Sequence, residues 1–383
     1  MNRIKRQLAK AREKAEYAFA NLRAWKSGRK IVVFESDDWG GVRMPGPETL
    51  RRLQEAGLRV DTSSFNRLDG LERRTDLENL LEVLQKHRNA QGKSPRFTCN
   101  MVLGNPDFDA IQRNQFRQFV RESMFDSYMR YHREDLRAVW EQAIAEGLLQ
   151  PQFHCREHVN QILWMKDLRD GSAETKLCFQ HNFFGLRTKT SSKIQKHYLA
   201  AYSAENNQEL DEIKKVAHDG LKQFQTMFGF PSQTFVACNY VLPLELEETL
   251  AEAGVKGIQT RIKQTIPVLE RNGQRIHRRR FTGQRNRWEQ YYTVRNAVFE
   301  PYQNQTYDWA ESALREIQLA FQFKTPAIIS THRINYTSAM DVGHRDRSLK
   351  SLDRLLAAIV TRWPDVEFLS SDDLIRFISK QLP

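Results

Sequence analysis

Short apolar runs that read as buried strands alternate along most of this chain with longer amphipathic stretches. That alternation limits the fold more than any other feature of the sequence. The runs are IVVFES, RFTCNMVL, QPQFH, TFVAC, KGIQT, YYTVRN, PAIIST and VEFL. Between them lie helical patterns such as PETLRRLQEAG, TDLENLLEVLQKH, REDLRAVWEQAIAEG, ELEETLAEAG, DWAESALREIQLAFQ and SLKSLDRLLAAIVTRW. Several end in Gly, a usual helix stop. Strands separated by helices return parallel through right-handed crossovers, and seven or eight such units close into a barrel. No repeat or low-complexity segment interrupts the pattern. Two stretches, near 105–132 and 170–208, read as insertions, and the second holds the polar loop RTKTSSKIQKH.

Residues 1–28 precede the pattern as a basic amphipathic helix. Ile4, Leu8, Ala11, Ala15, Ala18 and Leu22 recur at helical spacing, and Arg3, Lys5, Arg6, Lys10, Arg12 and Lys14 occupy the other faces. Such a helix packs on the main domain or makes weak contact with an acidic membrane surface. The chain has 383 residues, 40% of them hydrophobic and 10% aromatic, enough for a sizeable core and against global disorder. No apolar stretch reaches bilayer length, and no segment of signal-peptide type opens the sequence. A soluble, cytoplasmic protein is expected. The four cysteines (Cys99, Cys155, Cys178, Cys238) form no CxxC pair, which argues against a disulfide framework or a cysteine-rich zinc module. The formal charge of +12 suits an anionic partner, whether phosphorylated sugar, lipid surface or nucleic acid; a solubilising excess is the plain alternative.

In barrels of this kind chemistry sits where the strands end, and the unusual polar residues fall there. IVVFES leads to Asp37-Asp38, QPQFH to HCREH with His154 and His158, TFVAC to Asn239-Tyr240, YYTVRN to Arg295-Asn296, and PAIIST to His332-Arg333. His154 and His158 stand four apart, so a helical turn would present both imidazoles to one ion. A carboxylate completes a three-ligand site with one position open for water, the arrangement of catalytic zinc. Of two adjacent aspartates, one can bind the metal while its neighbour takes a proton from the activated water. Trp39, beside them, is a candidate to stack on a sugar face. Arg295 and Arg333 are further candidates for substrate contact.

Taken together, these motifs resemble the polysaccharide deacetylase family, carbohydrate esterase family four, over roughly residues 29–378. The resemblance implies a distorted (β/α)7-type barrel filling 29–383. It implies that Asp37 in ESDDWG is the general base and Asp38 a metal ligand, that His154 and His158 in HCREH are the other two ligands, and that His332 in AIISTHRINY is the general acid. FVACNYVLP occupies the place of the third motif, where Tyr240 would offer its backbone N–H to an oxyanion. Cys155 stands where Ser or Thr is usual, the fourth, Asp-Trp, motif is not visible, and no arginine precedes Tyr240. Arg295 or Arg156 is left to partner the base. The implied activity is metal-dependent removal of an N-acetyl group from an amino sugar in a polysaccharide, glycolipid or sugar precursor, anionic or neutral. Zinc suits two imidazoles and one carboxylate; cobalt, nickel and iron fit as well.

Three other readings compete. HCREH also fits the H-x-x-E-H pattern of inverzincin-like metallopeptidases, with Glu157 as base. A non-catalytic barrel could bind a glycan. Finally, HRRRFTGQRNRW, residues 277–288, mixes arginines with aromatics as single-strand binders do, but no nucleic-acid motif accompanies it, so no specific nucleic acid is expected.

Overall fold

The computed structural model describes residues 15–187 and 190–382. The strands, in chain order, are β1 (Ile31–Trp39), β2 (Phe97–Val102), β3 (Gly104–Pro106), β4 (Arg121–Ser123), β5 (Leu149–Cys155), β6 (Thr234–Val236), β7 (Gly257–Thr260), β8 (Lys263–Val268), β9 (Gln274–Arg279), β10 (Tyr291–Val294), β11 (Ala297–Val298), β12 (Ala327–His332) and β13 (Glu367–Phe368). The main sheet runs β10-β7-β6-β5-β2-β1-β12-β11, and all its pairings are parallel. Its two ends, β10 and β11, are consecutive in the chain and separated by Arg295 and Asn296 alone. The Arg295 N–H donates to Thr260 O of β7 and the Asn296 N–H to Ile328 O of β12, each at 3.0 Å. One segment therefore bridges both edges, and the sheet curls into a distorted barrel of seven staves: β1, β2, β5, β6, β7, β10–β11 and β12. β13 pairs only with Ile31 and Val32, at the start of β1, and lies outside the ring.

Side chains alternate across each strand, and β1 shows what each face does. Val32 and Phe34 point outward into the main core beneath the surrounding helices, which include Arg74–Lys86 and Val342–Arg362. Ile31 and Val33 point inward and meet Ile328 and the terminal helix Ser371–Gln381, whose Leu374, Ile375 and Ile378 close the bottom of the barrel. Gly257 permits that closure: a Cβ there would lie 2.5 Å from Ile375. Above this apolar plug the interior turns polar. Glu35, Asn100, Gln152, Thr234, Gln259 and Arg295 are all buried there and bonded to one another or to the backbone. Buried polar groups of this kind persist only when satisfied, and their mutual bonds make the barrel's middle a rigid floor for its rim.

The insertions leave from the C-terminal ends of strands, where the rim lies. The antiparallel hairpin β3–β4 and helices Phe108–Arg113 and Met124–His132 follow β2. Helix Ala173–Gln180 and residues 181–206 follow β5 and the short helix Gln161–Arg169, apart from residues 188–189 of the polar loop, which fall outside the described residues. The antiparallel hairpin β8–β9 follows β7. The N-terminal helix expected over 1–28 lies within the described residues only from Ala15, with 15–23 helical. That part rests on the barrel: Ala20 packs with Ile262 and Val294, and Asn21 Oδ1 accepts from Asn296 Nδ2 at 2.8 Å. Among the described residues no helix is long and apolar enough to cross a membrane.

Candidate active site

The site begins with an irregularity in β1. In a regular strand Asp37 and Asp38 would face opposite ways. Here the register with β2 slips between Ser36 and Trp39, and Asp38 takes φ +80°, left-handed for a residue with a side chain. Such a conformation costs of order 1–3 kcal/mol and persists where the surroundings enforce it. The bulge aims both carboxylates into one cavity at the rim. It also reverses the parity beyond it, so Trp39 turns into the core. Trp39 is fully buried, its ring lies edge-on to Trp140 and stacked over Tyr336, and its Nε1 donates to Ser36 Oγ. Trp39 therefore cannot stack on a sugar, and that expectation is corrected.

The two aspartates have different partners. Asp37 accepts from Arg295 Nη1 and Nη2 and from Asn100 Nδ2, each at 2.7 Å. Burial pushes its pKa up, but the charge and hydrogen bonds of Arg295, with His332 and His154 nearby, hold it below the usual carboxylate range. Arg295 also donates to Glu35 Oε2 and to the Tyr240 hydroxyl, each at 2.7 Å. Arg295 thus positions Asp37 instead of reaching for a ligand, which corrects its assignment to substrate contact. The other arginine considered for the base, Arg156, pairs with Glu157 and Asp219 instead.

Asp38 faces the imidazoles. Its Oδ1 lies 3.4 Å from His154 Nε2 and 3.4 Å from His158 Nε2. The three donor atoms all fall within 4.8 Å of one another. A tetrahedral ion with ligands at about 2.0–2.1 Å needs donor–donor edges of roughly 3.3 Å, so the arrangement fits a divalent metal. His154 Nδ1 donates to Val236 O at 2.8 Å, which leaves Nε2 free as a ligand. The two histidines do not share a helix face, as their spacing suggested. His154 lies in β5 and His158 in the bend after it, before helix Gln161–Arg169, and the turn brings their rings to 5.0 Å. Glu157 is buried against Arg156 and does not line the cavity, so the geometry of an H-x-x-E-H peptidase is absent.

His332 closes the site from β12. Its Nε2 is 3.6 Å from Asp37 Oδ2, and its Nδ1 lies 2.5 Å from Glu300 Oε1. Burial pushes this imidazole down, but Glu300 first, then Asp37 and Asp38, raise it to about 9. Glu300 is fixed in turn by Asn335 Nδ2, which donates to its other oxygen at 2.8 Å. Neither partner was foreseen, although Glu300 follows β11 as the other polar residues follow their strands.

The cavity these residues share measures about 130 Å³ and is also lined by Arg43, Val42, Phe65, Phe184 and Leu199. Asn239 and Tyr240 line it as well, both with positive φ in a tight turn. The Tyr240 N–H already donates to Ala237 O at 2.8 Å, so it is not available to an oxyanion. Arg333 lies at the cavity wall but is fully buried, bonded to Asp69, Glu72 and Gly41 O; its expected contact with substrate is replaced by a structural one. A second cavity of about 670 Å³ shares Tyr240 and His332 and is lined by Arg261, Lys263 and His277. Folding also joins cysteines that are distant in sequence: the Cys155 and Cys238 sulfurs and a His154 nitrogen lie within 4.8 Å of one another.

No family model and no curated protein matches this chain. Among solved structures it is similar to a peptidoglycan deacetylase from Bacillus subtilis (8% identity, 92% of this chain and 93% of that one, TM-score 0.39). It is similar to a family 4 acetyl xylan esterase from Clostridium thermocellum in complex with a cobalt ion (12% identity, 92% and 93%, TM-score 0.36). It is also similar to a 4-alpha-glucanotransferase from Thermococcus litoralis (8% identity, 91% of this chain but 40% of that one, TM-score 0.46). The likeness is one of overall fold, and the roles of individual side chains rest on this chain's own geometry.

Proposed function

We propose that the protein is a metal-dependent hydrolase that removes an N-acetyl group from an amino sugar. The observation that carries this reading is the division of labour between adjacent carboxylates: Asp38 faces two imidazoles, whereas Asp37 is held by Arg295 and Asn100. A divalent ion, zinc by the donor set, held by Asp38, His154 and His158 would polarise the amide carbonyl and make water a nucleophile near neutral pH. Asp37, kept ionised, accepts the attacking water's proton. Tyr240, whose oxygen accepts from Arg295, has its own hydroxyl proton to offer the developing oxyanion. His332, kept protonated by Glu300, gives its proton to the departing amine, which leaves poorly without it.

The test separates acid from metal. His332→Ala should lower hydrolysis of an N-acetyl amino sugar by roughly 10²–10⁴-fold. It should affect an activated aryl acetate much less, since a phenolate leaves without a proton, and metal content should stay unchanged. Equal losses on both substrates would reduce His332 to a positioning or structural group. No loss on either would remove it from the site.

A further inference from the structure

A larger cavity borders the catalytic one, and no proposed catalytic step fills it. Asp38, His154 and His158 line only the cavity of about 130 Å³, whereas His332 and Tyr240 line both that cavity and the one of about 670 Å³. Glu300, which holds His332, also faces the larger space. An amide reacting here has its carbonyl at the metal ligands and its nitrogen at the acid. The acyl group then lies in the smaller cavity, and whatever the nitrogen carries extends past His332 and Tyr240 into the larger. A volume of about 670 Å³ is within the range, roughly 300–1,000 Å³, of pockets that enclose a whole small organic ligand.

One wall of this larger cavity comes from a single segment. β7 ends at Thr260, Arg261 follows it at the rim, and the hairpin β8–β9 adds Lys263 and His277. Lys263 stands directly opposite Arg279 in the hairpin, so like charges are neighbours there. Lys263 pairs with Glu16 of the N-terminal helix, Arg295 with Glu35 and Asp37, and His332 with Glu300. Arg261 differs: no described carboxylate pairs with it, and its Nη1 makes no hydrogen bond with a described residue. Its Nε donates to Lys263 O at 3.0 Å, its Nη2 to Thr265 Oγ1 at 3.4 Å, and its Cζ sits 5.3 Å from the centre of the Tyr240 ring. The guanidinium is thus anchored beside a residue that both cavities share, with its charge unanswered and one nitrogen open.

We propose that the cavity of about 670 Å³ takes the leaving amino sugar, and that Arg261 selects a sugar bearing an anionic group, phosphate or carboxylate. Hydrogen bonds from a guanidinium to such an anion are about twice as strong as neutral ones, and a side chain already anchored loses less freedom on binding. Tyr302, edge-on to Phe65 with ring centres 4.9 Å apart, adds an aromatic side chain to the same lining, a surface suited to a pyranose ring. The orientation of the substrate rests on the function proposed above, because it takes His332 as the acid. The affinity of the cavity for an anionic amino sugar does not.

Deacetylated sugars test the cavity without turnover. Glucosamine, glucosamine 6-phosphate and muramic acid, which carries a carboxylate, are titrated calorimetrically into the full-length protein and into Arg261→Gln. Wild type should bind glucosamine 6-phosphate or muramic acid roughly tenfold or more tightly than glucosamine, and whichever it prefers names the anion. Arg261→Gln should lose most of that preference, and Arg261→Lys, which keeps the charge without the fork, should keep part of it. Arg261 is exposed, so both variants should melt with the wild type. No preference in the wild type, or the same preference in Arg261→Gln, overturns the subsite. Equal loss of affinity for all three sugars in a variant that melts lower assigns Arg261 to the fold and overturns it as well. Acetate release from the N-acetylated forms of the same sugars tests the reaction separately. A preference that depends on Arg261 without any acetate release keeps the subsite and counts against the reaction, whereas acetate release with a preference indifferent to Arg261 sinks the subsite alone.

Discussion

Glu300→Gln should cost activity at alkaline pH and almost none at acidic pH. Glu300 is the foremost cause that lifts His332 to about 9, through a contact of 2.5 Å between Oε1 and Nδ1. Glutamine keeps an oxygen for the Nδ1 proton, so ring orientation survives while the charge is lost. A group raised in this way is charged below its pKa, and a general acid works only while charged. Activity therefore falls as pH rises through the pKa of His332. At about 9, roughly 90% of the imidazole is protonated at pH 8; at the unperturbed value of about 6.5, roughly 3% is. The ratio is ~30 for a return to the unperturbed value; burial, the largest cause at this ring, pulls the variant's pKa lower, and Asp37 and Asp38 hold it higher. At pH 6 the same arithmetic gives a loss of only about 1.3-fold. The assay is kcat/KM for an N-acetyl substrate from pH 5.5 to 9, wild type against variant. A loss of the same size at every pH would refute the electrostatic account and leave Glu300 a packing role. An unchanged profile would separate Glu300 from His332 altogether.

Three other outcomes follow from the same geometry. His158→Ala should purify without stoichiometric divalent metal while Asp37→Asn retains it without turnover; elemental analysis beside an activity assay distinguishes the two, and equal metal in both would sink the ligand assignment. Arg295→Met leaves Glu35 and Asp37 buried without their cation, so unfolding in urea should show a loss of roughly 3–5 kcal/mol, and a neutral result would mean the pair is not sealed from water. Trp39→Ala should destabilise the fold by about 3–5 kcal/mol without a selective rise in KM; a KM effect in a stable protein would return Trp39 to the site.

Much of the barrel was legible because alternation of strand and helix is local, and polar residues after apolar runs mark the rim without any knowledge of contacts. That is why Asp37, Asp38, His154, His158 and His332 could be named before they were seen together. The readings that failed did so for identifiable reasons. Residue parity along β1 places Trp39 beside Asp37, and only the bulge at Asp38, enforced by the fold, breaks that parity. A spacing of four suggested a helix for His154 and His158, but a strand leaving into a bend satisfies it equally well. Tyr240 N–H was spent on a turn whose left-handed residues, Asn239 and Tyr240, carry no glycine to announce it. Glu300 and the Cys155–Cys238 approach depend on contacts between distant segments, which one sequence does not display.

The seam of the barrel has a mechanical meaning. Arg295 joins β7 to the segment that runs on to β12, and the same residue grips both oxygens of Asp37. The stave that shuts the cylinder is therefore also the clamp on the proposed base. Any fluctuation that parts β10 from β7 should slacken the carboxylate before it disturbs the imidazoles, which hang from β5 and the bend after it. Amide exchange at Arg295 and Asn296 would then report on catalytic competence while the metal ligands are still in place, and solvents that loosen the cylinder should silence turnover ahead of metal release.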